Sequence, residues 1–333
     1  MTRNWNGLPN ELKWMIVDRM DIITRFRLKM CSKSDKCLVE KVPFYCDEVS
    51  AFSSIFSPPD RKVICELRLP GVQVRCDEYE TILTIRRENK ERSITLSSEE
   101  EGREMIRCML SAFISPQNVR IGRFFTSLNL NYLFPSHDFK LHAEKLDLSI
   151  ENREENEKWL NALAKQPKEL TIWKECNGIG AHPVVQNVEK LTLMNPNGVT
   201  DEQLMKLKAK TMYISRSMIT EEGTNAYIEK VICEDYPIGS SMNFQHDSNF
   251  DWDRVFDGWE CEDSDDSDDD EEDDDEEEDE DTDDEDEEEE QHENYYARVH
   301  MSSEKDIIIT LKWSIFPSNN VRVVVVKKGD ISG

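Results

Sequence analysis

Apolar positions near the N-terminus recur at helical spacing. Behind Pro9 they fall three or four residues apart, at Leu12, Met15, Ile16 and Met20. A second segment of this kind follows Asp21, and a third, short one ends at Pro43. Residues spaced in this way lie on one face of a helix, so the pattern predicts three short helices within residues 1–45. So few residues cannot enclose a full hydrophobic core, and we expect the helices to pack on the rest of the chain or on a partner.

Strand patterning replaces the helical spacing after Pro58-Pro59. Runs rich in β-branched and apolar residues predict strands at 63–69, 81–85 and 93–96, the last two joined as a hairpin. A helix follows over about residues 98–113. Ser98 and Glu101 are spaced as a capping box at its start.

The middle of the chain contains a repeat of short strands and helices. Four apolar-x-apolar strands end at Leu148, Ile172, Leu193 and Ile214, separated by 24, 21 and 21 positions, and helical segments lie between them. One strand and one helix every 20–29 residues is typical of leucine-rich repeats, in which each unit buries its apolar face on the next. We therefore predict a leucine-rich-repeat-like domain; an ordinary α/β meander is the alternative.

One acidic tract interrupts the predicted folded structure in the C-terminal third of the chain. Between Glu260 and Glu290, 27 of 31 residues are Asp or Glu. Like charges at this density repel each other and cannot build a core, so we predict a disordered insertion over 251–293. Three strands follow it, at 297–300, 307–311 and 321–326. The predicted fold class is α+β or α/β, in the segments 1–45 (helices), 46–250 (strands at 63–96, repeats at about 119–235), 251–293 (acidic insertion) and 294–333 (strands that complete the domain).

The charge balance restricts the partners. The chain carries 41 Lys and Arg against 70 Asp and Glu, a net charge of −29. Without the tract, 43 acidic residues face 41 basic ones. Nucleic-acid binding needs a clustered excess of Lys and Arg, and docking on anionic lipid needs the same. We therefore expect neither nucleic acid nor a membrane as a partner.

The cysteines and the hydropathy pattern point to a reducing compartment. No run of eighteen apolar residues occurs, and the first residues lack a secretory apolar stretch. The nine cysteines are scattered and never spaced as CxxC, which favours reduced thiols over disulfides or a zinc site. We expect a cytoplasmic or nuclear protein.

No catalytic motif is present in the sequence. GxSxG, HExxH and the phosphate-binding loop are all missing. His137 and His142 are the only histidines close to one another in the middle of the chain, and no further ligands stand at a recognisable spacing from them. We predict no catalytic residue, no cofactor and no metal site, and an enzyme is the least favoured class.

The N-terminal helices carry a family resemblance. Leu8-Pro9-x-Glu11-Leu12 is followed at fixed offsets by Ile16, Met20-Asp21, Leu28, Cys31-Ser32-Lys33 and Leu38-Val39. Over residues 4–44 this pattern resembles the F-box. The resemblance implies docking on a Skp-type adaptor and, through it, on a cullin-RING ubiquitin ligase. The residues expected to bind the adaptor are Leu8, Pro9, Glu11, Leu12, Ile16, Met20, Phe26, Leu28, Cys31 and Ser32.

The sequence differs from the common F-box at two places. Thr24-Arg25 stand where that family has an Asp-Leu pair, and Asp35 stands near the position of a tryptophan. This variant resembles the expanded F-box families of nematodes, which carry an F-box-associated region of strands and repeat-like units. Residues 45–250 and 295–328 are compatible with such a region.

The sequence leads to one main interpretation and two alternatives. The main one is a non-enzymatic substrate-recognition subunit of a ubiquitin ligase, binding an unknown protein through its C-terminal domain. In the first alternative the N-terminal apolar stripe packs on the chain's own strands. In the second the chain is an acidic chaperone or scaffold for basic proteins such as histones. Ser267 and Thr282, each with an acidic residue at +3, fit an acid-directed kinase pattern.

Overall fold

The protein is described by a computed structural model. The described residues are 5–54, 63–77, 82–87, 90–114, 118–130, 139–195, 198–215, 218–246, 251, 254–255, 294–300, 304–312 and 319–328. The acidic tract, Ser267 and Thr282 lie outside them, so the predictions made there stay predictions. The chain divides into two compact units, Met1–Asn197 and Gly198–Gly333.

Three short helices open the first unit after a 3-10 turn at Trp5–Gly7. They are α1 (Asn10–Asp18), α2 (Ile22–Cys31) and α3 (Lys33–Lys41). The Asp21 carboxylate caps α2 by accepting a hydrogen bond from the Thr24 amide at 2.9 Å, and the Ser32 hydroxyl caps α3 by accepting one from the Asp35 amide at 3.0 Å. Side chains of this type satisfy amides that have no partner within the helix. The structure confirms three helices at the N-terminus.

A mixed sheet fills most of the first unit. Its strands are β1 (Phe44–Ser54), β2 (Val63–Leu69), β3 (Val72–Asp77), β4 (Ile82–Arg87), β5 (Lys90–Thr95), β6 (Val119–Thr126), β7 (Ala143–Leu148), β8 (Glu169–Ile172) and β9 (Lys190–Leu193). They lie in the order β9-β8-β7-β6-β1-β2-β3-β4-β5. Pairing is parallel from β1 through β6 to β9 and antiparallel from β1 to β5.

Helices pack on one face of this sheet. They are α4 (Glu99–Ile114), α5 (Arg153–Asn161) and α6 (Pro183–Gln186), with a 3-10 turn at Ile179–Ala181. Trp159 of α5 packs on Phe124 of β6 with ring centroids 5.2 Å apart, and both are fully buried. Side chains alternate along a strand. The residues next in sequence to Phe124, and those next in sequence to its partners on the adjacent strands, therefore point to the opposite face. There the described positions are mainly polar or charged.

The second unit has its own strands and helices. They are α7 (Asp201–Leu204), β10 (Thr211–Ser215), α8 (Glu221–Cys233), β11 (Ser241–His246), β12 (Asn294–His300), β13 (Lys305–Lys312) and β14 (Asn319–Lys327). The strand order is β12-β13-β14-β11-β10, with β10 and β11 parallel and the rest antiparallel. Tyr227 of α8 packs edge-on against Phe244 of β11 at 5.7 Å, inside the core.

The fold matches the predicted class at a coarse level: N-terminal helices are followed by mixed α/β structure. Four strands, β1, β3, β6 and β11, were not predicted as strands from the sequence. The first of them, β1, begins at Phe44, directly after the predicted end of the third helical segment at Pro43. The leucine-rich-repeat-like character stays a prediction.

No helix within the described part of the chain has the length and apolar character of a transmembrane span.

Candidate partner-docking site

Helix α1 presents large apolar side chains to solvent. Leu12 and Ile16 are 46% and 41% exposed, and Trp14 and Met15 are exposed beside them. Val17 lies on the inward side of α1, where it is fully buried. It forms a small core with Val39 and Val42 of the third helical segment. Exposed apolar groups that are adjacent on one helix are typical of a surface that binds another protein.

The structure separates the predicted adaptor-binding residues into two groups. Pro9, Glu11, Leu12, Ile16, Cys31 and Ser32 are exposed, whereas Leu8 and Phe26 are partly buried. Met20 and Leu28 instead pack against the small core formed by Val17, Val39 and Val42. Met20 and Leu28, both partly buried, therefore help to hold the helices together, and Leu12 and Ile16 provide the outward apolar surface.

Arg25 organises the helices from within. It is only 4% exposed, and its guanidinium donates four hydrogen bonds to backbone carbonyls. Nη2 and Nε reach the end of α1, at Asp18 O (3.2 Å) and Met20 O (3.3 Å). Nη1 reaches the end of α3, at Val42 O (3.0 Å) and Pro43 O (3.2 Å). Burial lowers the pKa of Arg25, and the Asp18 carboxylate opposes that shift. One side chain thus satisfies the free carbonyls of two helix ends.

A second polar link joins the first turn to α3. The Trp5 indole N–H donates to Asp35 Oδ1 at 2.8 Å, and the Ser32 hydroxyl donates to Asp35 Oδ2 at 2.7 Å. These two hydrogen bonds hold the pKa of Asp35 below its ordinary value, because they stabilise the ionised carboxylate. Trp5 is therefore hydrogen-bonded to Asp35, the residue that stands near the tryptophan position of the common F-box.

The N-terminal helices are also fixed to the sheet of the first unit. The Asn118 amide donates to Val39 O (2.9 Å) and Val42 O (2.6 Å) at the end of α3. Phe44, the first residue of β1, lies under the Arg25 guanidinium at 4.8 Å and packs edge-on against Phe113 of α4 at 6.0 Å. These contacts set the orientation of the docking surface relative to β1.

Three of these structural residues were not identified from the sequence. Trp5, Arg25 and Asn118 were not assigned a role, since nothing in a single sequence pairs them with partners 30, 17 and 79 positions away. A weak signal existed for Arg25 alone. It lies three positions after Ile22, which is buried, and so on the inward face of α2.

Comparison with known families gives two matches. The F-box domain matches residues 5–47. A domain of unknown function, DUF3557, matches residues 103–248. No curated protein matches the chain. An F-box match implies binding of a Skp-type adaptor within a Skp-cullin-F-box complex, and the match begins at the residue, Trp5, that anchors the first turn to α3. The N-terminal helices at residues 5–47 therefore match the F-box domain.

Proposed function

We propose that this chain is the substrate-recognition subunit of a Skp-cullin-F-box ubiquitin ligase, acting in the cytoplasm or nucleus. Its N-terminal helices bind the adaptor and its C-terminal domain binds a protein substrate. The single observation that carries the proposal is the exposed apolar face of α1, with Leu12 and Ile16 at its centre, in a segment that matches the F-box domain.

The energetics of that face support docking. Full burial of a large aliphatic side chain contributes about 1.5–3 kcal/mol relative to full exposure. Leu12, Met15 and Ile16 expose 46%, 58% and 41% of their surface, so each has only part of that amount still to gain. Association costs about 4–15 kcal/mol in lost freedom. The face can therefore anchor a complex, and further contacts around it must supply the remainder of the affinity.

The mechanism of such a subunit is positional. The adaptor holds the F-box, and the contacts of Arg25, Phe44 and Asn118 hold the sheet at a fixed orientation to it. A substrate bound on the sheet is then kept near a ubiquitin-charged enzyme, so its lysine reacts at a high effective concentration. The bond is made by that enzyme, and this chain supplies binding and orientation.

The test is a double substitution, Leu12→Ala with Ile16→Ala. Both side chains are exposed, so the folded chain should keep its urea unfolding midpoint. Its affinity for a purified Skp-type adaptor should fall by at least tenfold, because two apolar anchors are lost. Affinity is measured by titration calorimetry.

The matched control is Met30→Ala, which removes an equally apolar side chain of α2 that is 87% exposed. It should leave adaptor affinity unchanged. Adaptor binding that persists at full strength in the Leu12/Ile16 variant would refute the proposed docking face.

A further inference from the structure

The sheet of the first unit has a polar face opposite its helices, which we name the open face. Backbone pairing places Glu48, Arg123, Lys145, Glu169 and Lys190 in one row across β1 and β6 to β9. Their neighbours along the strands, such as Phe124, point the other way and are buried under the helices. A shallow hollow of about 250 Å³ lies over this row.

Positive charge on the open face lies outermost. The side chain of Arg68 is 57% exposed, whereas that of its partner Glu66 is 5% exposed. Arg123 and its partner Asp147 show the same difference, 47% against 6%. A guanidinium has five N–H donors, and each of these carboxylates lies beneath its arginine. Apart from Glu48, which is also exposed, the charges that a ligand meets first on the open face are therefore mainly cationic.

Glu169, one of the two carboxylates of the row, is also held by cations. Lys145 Nζ lies 2.9 Å and Lys190 Nζ 3.7 Å from the oxygens of Glu169. Partial burial would raise the pKa of Glu169, but the hydrogen bonds and charges of the two lysines outweigh it and hold that pKa below its ordinary value. Glu169 therefore stays ionised at neutral pH and fixes both ammonium groups on the surface.

Two aromatic rings lie at the centre of this charged surface. Phe52 of β1 and Phe125 of β6 are partly buried and meet edge-to-face with centroids 5.9 Å apart. The Arg68 guanidinium lies over the Phe52 ring at 5.1 Å. Aromatic rings and arginines are enriched at the centres of protein interfaces. Apolar rings are unfavourable on a face exposed only to water, so their presence among charged side chains is typical of a surface that binds another molecule.

We propose that the open face is the substrate-docking surface and that it takes an acidic protein segment with an apolar side chain among its carboxylates. This inference rests on the proposed function and names its substrate class. The ligand's carboxylates pair with Arg68 and Lys145, and its apolar side chain packs on Phe52 and Phe125. Glu48 and Glu169 in the row repel the closely spaced phosphates of a nucleic acid. Carboxylates spaced along a peptide can pair with the cations without lying next to either glutamate.

The sheet geometry sets the spacing of the ligand's charges. Arg68 on β2 and Lys145 on β7 are separated by three strand spacings, and their registers differ by two residues. With strands about 4.8 Å apart and about 3.3 Å per residue, the two cations are about 15 Å from each other. An extended peptide covers that distance in four to five residues. Carboxylates four or five positions apart, with an apolar residue between them, should therefore bind best.

The experiment is a selection of random twelve-residue peptides displayed on phage against the full chain. Enriched peptides should carry carboxylates at the spacing given above, and their affinities are then measured with the synthetic peptides. The variant Arg68→Gln with Lys145→Gln should bind them at least tenfold more weakly. This pair spares the fold, because Glu66 keeps its hydrogen bond from Gln73 at 2.6 Å and Glu169 keeps Lys190.

The control variant Lys206→Gln with Arg254→Gln removes two exposed cations of the second unit and should leave the peptide affinity unchanged. Equal weakening in both variants, or enrichment of basic or uncharged peptides, would overturn the inference. Tighter binding of an oligonucleotide duplex than of any selected peptide would do the same.

The chain's own acidic tract is a competing occupant. The selection is therefore repeated with residues 260–290 deleted. Acidic peptides that bind only to the deleted chain would show that the tract occupies the face, and this would overturn the assignment to a substrate. Adaptor affinity is measured on all variants and should not change. Undiminished peptide binding by the Arg68/Lys145 variant, with adaptor binding intact, would refute this inference and leave the proposed function standing.

Discussion

Arg25 shows how a single buried charge can organise a small helical domain. Its guanidinium donates to four backbone carbonyls at the ends of α1 and α3 and stacks on Phe44. A domain of three short helices buries little apolar surface, so hydrogen bonds between helix ends make a large contribution to its stability. The guanidinium remains charged in spite of its lowered pKa, because an arginine titrates far above neutral pH.

We predict that Arg25→Met destabilises the chain by about 3 kcal/mol or more. Val42 O keeps its hydrogen bond from Asn118, but the carbonyls of Asp18, Met20 and Pro43 lose the Arg25 donor. A carbonyl left without a donor away from water costs about 1–3 kcal/mol, and methionine keeps most of the side-chain volume. The loss is measured as the free energy of unfolding in urea. The control is Arg27→Met on the exposed side of α2, which should change that free energy by less than about 0.5 kcal/mol. Equal effects at both positions would show that Arg25 has no special structural role.

At the level of single residues, the sequence predicted which residues form helix α1 but not which of its side chains face inward. The apolar spacing correctly indicated helix α1, but Leu12, Trp14, Met15, Ile16 and Val17 surround most of the helix. Periodicity therefore could not determine that Val17 faces inward and Leu12 and Ile16 outward. The role of Met20 as a core residue was missed for the same reason.

Among the elements, the parallel pair β1 and β6 depends on a glycine. A Cβ atom at Gly122 would lie 2.6 Å from the backbone carbonyl oxygen of Asp47 on the neighbouring strand. Real Cβ atoms do not approach a backbone atom so closely, and the backbone cannot rotate away as a flexible side chain can. The two strands approach each other closely at this point only because residue 122 has no side chain.

We predict that Gly122→Ala destabilises the first unit by about 1–3 kcal/mol, the usual cost of overpacking. Thermal unfolding followed by circular dichroism measures the change. Gly7→Ala is the matched control, because a Cβ atom there meets nothing within 4 Å, and its melting temperature should equal that of the parent. A Gly122→Ala protein that melts at the parent temperature would contradict the close approach of β1 and β6.

Several of the strands predicted from the sequence are rich in β-branched residues. Segments 307–311 and 321–326 are of this kind, and the structure contains β13 and β14 there. By contrast, Asp47, Glu48 and Ser50 interrupt the apolar pattern of β1. Its pairing with β6 joins Phe44 to Val119, 75 positions away. A pairing over that distance leaves no local pattern, so β1 and β6 could not be predicted from their own residues.

At the scale of the whole molecule, one segment determines the net charge. The 27 acidic residues between Glu260 and Glu290 account for nearly all of the −29. Repulsion between like charges prevents such a segment from contributing to a hydrophobic core. The residues that we propose dock on the adaptor lie within residues 5–47, which match the F-box domain.

We predict that a chain lacking residues 260–290 keeps its urea midpoint and its affinity for the adaptor. Its retention on an anion exchanger should fall sharply, because 43 acidic residues would then face 41 basic ones. Calorimetric titration with the adaptor, at an ionic strength of about 0.15 M where the Debye length is about 8 Å, provides the measurement. A tenfold loss of adaptor affinity on deletion would assign the tract a part in docking.

The hydrogen bonds from Asn118 to the end of α3 bear on which lysines would be modified under the proposed function. They join the end of α3 to the residue that precedes β6, so side-chain contacts as well as the chain itself connect the N-terminal helices to the sheet of the first unit. A substrate bound on that sheet would then be presented in one orientation. Lysines on one side of it should receive ubiquitin, while equally exposed lysines on its far side do not.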